Sequence, residues 1–269
     1  MDQGPGPERW PFTLEKRYLD VVTRDGTILV VHLAWMRLLG VRVARVTADL
    51  FRPGTLRQGG GAKATRVEGG GRRLACGPAV LRDNVLAFET PGLSGELHFA
   101  PRHAPAQLGN PLLRAGKRRL EWTVEVPDAD VEGTLWWPGG STGLAGRGYL
   151  DRVWTDLLPW HFPIRELRWG RIAAGEHAST WVRATTRGGE AAAGWADGVM
   201  APPEECSGAL GPGRLVLEGA VADLEDLQLG ALRPLLRWIV RDPQEWKWVC
   251  PAEFRGANGV AVHERVTWQ

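Results

Sequence analysis

Several of the residue patterns that mark common functions are missing from this 269-residue chain. It has only three cysteines, Cys76, Cys206 and Cys250. They are too few and too scattered for a disulfide framework, and none sits in the CxxC spacing that holds zinc. Six histidines are dispersed without an HxH or HExxH pair. His263-Glu264 opens like a metalloprotease helix, but no second histidine follows, so no metal is expected. Neither GxxxxGK[ST] nor GxGxxG occurs, which argues against a nucleotide cofactor. A charge excess is missing too: 33 Lys and Arg stand against 31 Asp and Glu, for a net charge of +2. That balance leaves no electrostatic footprint for nucleic acid or an anionic membrane. The longest apolar run, residues 28–36, is interrupted by His32 and is about half the ~20 residues of a spanning helix. Residues 1–12 carry charges and prolines but no apolar core of a signal peptide. The expectation is a cytoplasmic protein with no integral membrane segment and no cofactor.

What is abundant is tryptophan, with 14 against 6 phenylalanines and 2 tyrosines. Its large rigid face suits both core packing and an aromatic-lined pocket. Strand patterns fill most of the chain. Residues 17–22 and 27–33 flank Arg24-Asp25-Gly26, an Asp-Gly hairpin signal. Val80-Leu81 and Val85-Leu86 flank Asp83-Asn84, a second turn of hairpin type. Alternation continues over 93–99, 120–126, 164–172, 179–185, 214–218, 246–249 and 260–268. One stretch has helical spacing: Leu232, Leu235, Leu236 and Ile239, with Pro234 in a first turn. Gly59–Gly61 and Gly69–Gly71 read as flexible loop tips. Many short strands with Gly/Pro turns indicate an all-β fold of barrels or sandwiches. A break at Pro138-Gly139-Gly140-Ser141-Thr142-Gly143 suggests two domains, 12–140 and 141–269. That break matches the hydrolase elbow GxSxG as a string. The elbow requires a strand–turn–helix corner, and no helical pattern follows, so the reading is a loop.

The most distinctive segment is Gly146-Arg147-Gly148-Tyr149-Leu150-Asp151-Arg152-Val153-Trp154, followed by Arg168-Trp169-Gly170-Arg171. It resembles the signature of the carotenoid 1,2-hydratase (hydroxyneurosporene synthase) superfamily. Relatives there include AttH-type lipocalin-like proteins, plant tocopherol cyclases and fungal decalin-forming Diels–Alderases. Tyr18-Leu19-Asp20-Val21-Val22 is similar to that family's opening strands, and Val262-His263-Glu264 with Trp268 to its closing strand. The resemblance implies two lipocalin-like antiparallel β-barrels, with a short helix near the C-terminus where the leucine spacing puts it. Arg152 stands where a histidine is common, Val153 where a polar residue often sits, and Lys16-Arg17 where aromatics usually precede the Tyr-x-Asp. These departures bear on carotenoid hydration itself and leave the fold untouched.

In a strand, Tyr149, Asp151 and Val153 share one face, and Leu150, Arg152 and Trp154 the other. The resemblance implies that Asp151 is a catalytic acid. If its face meets an apolar pocket, burial raises its pKa, and a neutral carboxylic acid can protonate a C=C or polarise a carbonyl. Aromatic faces would stabilise the resulting cation. The alternative is that Arg168 or Arg171 pairs with Asp151, lowers its pKa and makes it structural. Candidate substrate-binding residues are Tyr149, Trp154, Trp160, His161, Trp169, Trp35 and Trp136, with Trp137 a weaker one. Arg168, Arg171 and Glu264 are candidates to support them, the arginines clamping Asp151 or Glu264. The expected function is a cofactor-independent enzyme of cyclase, hydratase or isomerase type acting on an apolar polyene, terpenoid or polyketide-like molecule. Its route is acid-catalysed hydration or cyclisation, or an orientation-driven pericyclic cyclisation. A non-catalytic carrier of a lipid or terpenoid is the other reading.

Overall fold

Alternating sequences flanked by turn residues become strands almost throughout the computed structural model, which describes residues 11–55, 57–70, 73–220 and 243–268. The first sheet begins with β1 (Phe12–Thr23), β2 (Ile28–Leu38), β3 (Val41–Phe51) and β4 (Gln58–Ala64). Short strands follow: β5 (Val67–Gly70), β6 (Arg73–Cys76), β7 (Ala79–Arg82), β8 (Val85–Thr90) and β9 (Leu93–Pro101). It closes with β10 (Ala106–Ala115) and the long hairpin β11 (Arg118–Trp137) and β12 (Gly140–Thr155). Its order is β4-β3-β2-β1-β12-β11-β9-β8-β7-β6-β5, with β10 on β11. β4 lies against β8 and β9, so the sheet curls into a nearly closed antiparallel barrel.

The second sheet contains β13 (Ile164–Ala174), β14 (His177–Thr186), β15 (Gly189–Ala196) and β16 (Val199–Ala201). β17 (Ala209–Leu210), β18 (Arg214–Ala220), β19 (Gln244–Phe254) and β20 (Ala257–Thr267) complete it. Its order is β16-β15-β14-β13-β20-β19-β17, with β18 on β19. The protein is thus all-β, built of two antiparallel, lipocalin-like barrel domains. The sheets change over between Thr155 and Ile164; the boundary expected at 140/141 falls at the start of β12, within the first sheet. The GxSxG string opens β12 as part of that hairpin, with no helix after it. The expected helix at 232–239 lies outside the described residues.

Both expected hairpins form. The Thr23 amide donates to the Thr27 carbonyl at 2.9 Å around Asp25-Gly26, where Gly26 has φ +80°. Asp83, at φ +55°, turns β7 into β8. Gly59–Gly61 are a correction, since they lie within β4 and not in a loop. β3 crowds two of them: a Cβ at Gly59 would collide with the Ala48 carbonyl and Asp49, and one at Gly61 would displace the Arg45 guanidinium. Gly69 and Gly70 likewise belong to β5.

The near-continuous apolar run of β2, and the apolar residues on both faces of β1 over 18–22, have a physical cause: both faces of these strands are buried there. Leu19, Val21, Leu29, Val31 and Leu33 point into the first barrel's core. Tyr18, Val22, Ile28 and Val30 point into a second core shared with Trp169, Val182, Val249 and Val262 of the second sheet. A third, smaller core of Ile172, Trp181, Phe254 and Ala261 lies on the other face of the second sheet. Gly170 has no room for a Cβ under the Trp181 ring, which is the close approach its motif suggested. Among the described residues no helix is long and apolar enough to cross a membrane.

Candidate functional site

Strands β1 and β12 run antiparallel in a register that sets Tyr18 opposite Asp151 and Asp20 opposite Tyr149. Two copies of a Tyr-x-Asp pattern therefore face each other across one ladder. In each, the tyrosine hydroxyl donates to the aspartate two residues on: Tyr18 to Asp20 Oδ2 at 2.9 Å, and Tyr149 to Asp151 Oδ2 at 3.0 Å. The second sheet breaks this symmetry. Arg171, fully buried on β13, reaches Asp20 through Nε at 3.2 Å from Oδ2 and through Nη2 at Oδ1. Among the described residues, no arginine reaches Asp151. Its Oδ2 accepts a second hydrogen bond from Trp122 Nε1 at 3.0 Å, while its Oδ1 is buried without a partner.

That environment decides the chemistry of Asp151. Burial pushes its carboxyl up to about 7, against the opposing pull of the Tyr149 and Trp122 hydrogen bonds and the Lys16 charge. A charge taken out of water without an ion-pair partner is disfavoured, so the group holds its proton far above the ordinary aspartate range. Sequence alone left two readings open, an apolar environment and an arginine clamp; Arg171 belongs to Asp20, and Arg168 is exposed and donates to Glu166 at 2.6 Å.

Asp151 lines a cavity of about 280 Å³ between the two sheets. Phe12, Leu14, Met36 and Val43 come from the first sheet, and Ile164, Leu167, Trp169 and Val266 from the second. Leu157, Pro159 and Phe162 of the connecting segment, with Pro243 and Trp268, add further apolar surface. The polar groups on the wall are few: Lys16, Arg45, Asp151, Thr155, Glu245 and Glu264, beside the Tyr18 ring. A mainly apolar hollow with a handful of convergent polar groups is the usual form of a small-molecule site.

Two of these carboxyls belong to a second charged cluster. Lys247 Nζ is 2.6 Å from Glu264 Oε2, 3.4 Å from Glu245 Oε1 and 4.2 Å from the centre of the Tyr18 ring. Burial would raise both carboxyls. It does so for Glu245, helped by the negative charge of Glu264, up to about 7. For Glu264 the ammonium groups of Lys247 and Lys16 outweigh burial and hold it below the ordinary glutamate range.

Of the residues singled out from sequence, the structure gathers Asp151, Trp169, Trp35 and Glu264 on the cavity wall. Tyr149 is buried one step behind, where it holds Asp151 and stacks on Trp169 with ring centres 5.8 Å apart. Arg171 anchors Asp20 and not Asp151, and Glu264 takes Lys247 in place of an arginine. Trp154 lies on the opposite face of β12, with the Arg119 guanidinium 5.2 Å from its ring. Trp136 is 45% exposed near the tip of the β11–β12 hairpin, and His161 is exposed in the short 3₁₀ turn Pro159–His161. Trp137 packs on the first barrel's core under Arg52. The Trp160 side chain lies outside the described residues. Sequence reasoning missed Lys16, Tyr18, Trp122, Glu245 and Lys247. The repeated Tyr-x-Asp and the period-2 spacing of Glu245 and Lys247 were the available signals.

Two groups held protonated by burial give stability an unusual slope. The folded protein binds the Asp151 and Glu245 protons more tightly than the unfolded chain does. Their contribution is therefore complete at acid pH and is lost as pH rises through about 7. Urea denaturation is expected to show stability falling between about pH 4 and 7, by up to ~1.4 kcal/mol per group and pH unit, and levelling off above that. The Asp151→Asn protein should show a shallower fall, and equal slopes in the two proteins would contradict the assignment.

No protein-family model matches the chain, and no curated protein matches it in sequence. Solved structures do match in fold. CghA with Sch210972 superposes with a TM-score of 0.59 at 12% identity, over 96% of this chain and 89% of that one. An AttH-type protein, NE1406 from Nitrosomonas europaea, gives 0.58 at 11% identity, over 99% and 97%. Kievitone hydratase from Nectria haematococca gives 0.52 at 11% identity, over 96% and 89%. Alike along nearly their whole lengths, these proteins place the chain in the AttH-like, lipocalin-type two-domain fold.

Proposed function

We propose that the protein is a cofactor-independent enzyme that protonates an electron-rich C=C or carbonyl of an apolar polyene, terpenoid or polyketide-like molecule. The observation that carries this reading is Asp151, a carboxyl poised near neutrality with one oxygen unpartnered, on the wall of an apolar cavity. The Asp151 hydroxyl transfers its proton to an alkene carbon; the π pair forms the new C–H bond and the carboxylate is left behind. The tertiary cation so formed is stabilised by the faces of Trp169, Trp122 and Tyr18. Water adds its oxygen to the cation and returns a proton to the Asp151 carboxylate, giving a hydration. An internal hydroxyl or alkene in place of water gives a cyclisation. No residue of this cycle changes oxidation state, and the acid is regenerated. That a hydratase has this fold and that CghA holds a small molecule, Sch210972, support the reading.

The mainly apolar wall also favours a second route, in which the cavity folds a flexible polyene for a pericyclic closure and Asp151 only donates a hydrogen bond. Deuterium oxide separates the two. The protein is incubated with a panel of prenyl alcohols and linear polyenes in deuterium oxide, and products are read by mass spectrometry. Acid catalysis is expected to place one non-exchangeable deuterium on carbon in each product. Products without carbon-bound deuterium would move the assignment to the pericyclic route. Ligand that is bound but returned unchanged would make the protein a carrier.

A further inference from the structure

We infer that the cavity takes an amphipathic acid, a long apolar chain whose carboxylate or enolate oxygen rests on the Lys16 ammonium. The inference rests on the proposed reading of the cavity as a small-molecule site, and it adds the headgroup.

Two buried cations near the sheet interface have carboxylates, Arg171 with Asp20 and Lys247 with Glu264 and Glu245, and Arg17 on the other face of β1 has Glu125 at 2.5 Å. Lys16 differs. It lines the cavity and, among the described residues, makes no hydrogen bond and no ion pair. The carboxyls on the same wall feel its charge, but among the described residues none is in ion-pair contact with it. Asp151 and Glu245 are raised to about 7, and the charge of Glu264 is shared between Lys247, at 2.6 Å, and Lys16. Arg45 adds a second cationic side chain to the wall. An uncharged chain filling the cavity would take water from Lys16 and return nothing, whereas an acid would supply the missing counter-charge.

Spacing along β1 agrees. Lys16 and Tyr18 share a face, and Tyr18 is the cross-strand partner of Asp151. At a rise of ~3.4 Å per residue, Lys16 stands about 7 Å along the strand from the Asp151 rung. A headgroup on Lys16 therefore lays the first carbons of its chain beside the Asp151 carboxyl.

The test compares cis-parinaric acid with its methyl ester, by fluorescence titration of the full chain at about 50 mM salt, where screening is modest. The acid is expected to bind at least about tenfold more tightly than the ester. Lys16→Met should abolish that preference while leaving ester affinity within about twofold, and Lys16→Arg should keep it. Equal binding of acid and ester, or a preference that survives Lys16→Met, would overturn the headgroup assignment and leave the cavity reading standing. Failure of both probes to bind would remove the cavity reading itself, and this inference with it. The wild-type ratio decides the matter even if Lys16→Met does not fold.

Discussion

Asp151→Asn is expected to leave the protein folded and to lower turnover by about 10²- to 10⁴-fold, the range ordinarily lost with a general acid. The substitution keeps shape. The amide oxygen can accept from Trp122 and Tyr149 as Oδ2 does now, and the amide nitrogen takes the place of the unpartnered Oδ1. What disappears is the transferable proton. Asp151→Ala is a poorer probe, because it strands the buried Trp122 N–H and Tyr149 hydroxyl at ~1–3 kcal/mol each. The measurement is kcat on a substrate found in the deuterium oxide screen, with the urea midpoint as a check on folding. An Asn variant that is folded and fully active would reject Asp151 as acid and leave orientation as the source of catalysis.

The largest loss of stability is expected from Asp20→Ala. It leaves the Arg171 guanidinium fully buried without its carboxylate, and breaking a buried pair in this way costs about 3–5 kcal/mol. Against a typical total of ~5–15 kcal/mol, that is enough to populate unfolded protein at 37 °C. The pair also ties the first sheet to the second, since Asp20 is on β1 and Arg171 on β13. Replacing both partners with apolar residues, Asp20→Leu with Arg171→Met, should recover most of the loss, because no charge is then left uncompensated. Urea denaturation of the single and double variants measures this. A single variant within 1 kcal/mol of wild type would show that the pair does not hold the sheets together.

Much of the fold can be read directly from local pattern. Asp25-Gly26 and Asp83-Asn84 place two turns, and period-2 alternation places the strands around them, because turn chemistry and pleat are properties of a few adjacent residues. The face shared by Tyr149, Asp151 and Val153 follows from the same pleat. The partner of each acid does not. Tyr18-Leu19-Asp20 and Tyr149-Leu150-Asp151 look equivalent along the chain, yet one aspartate is an ion-pair anion and the other a near-neutral acid. The difference comes from where β13 crosses the first sheet, a contact 151 residues apart that no local pattern encodes. Trp154 shows the same limit from the other side. Its neighbour Val153 lines the cavity, but one step along the pleat turns Trp154 away toward Arg119. Gly59–Gly61 have a loop-like composition and lie in a strand, and at Gly59 the need for glycine comes from Ala48 and Asp49 on the adjoining strand.

The burial of both faces of β1 has a consequence for how the protein comes apart. Leu19 and Val21 belong to one core, Tyr18 and Val22 to another, and the peptide between them is common property. Opening the second sheet would strip one face of the strand that closes the first, and loosening the first would remove a wall of the second. Two such halves cannot melt independently. The chain should behave as a single cooperative unit, despite having the outline of two barrels, and the hollow between them exists only while both are folded.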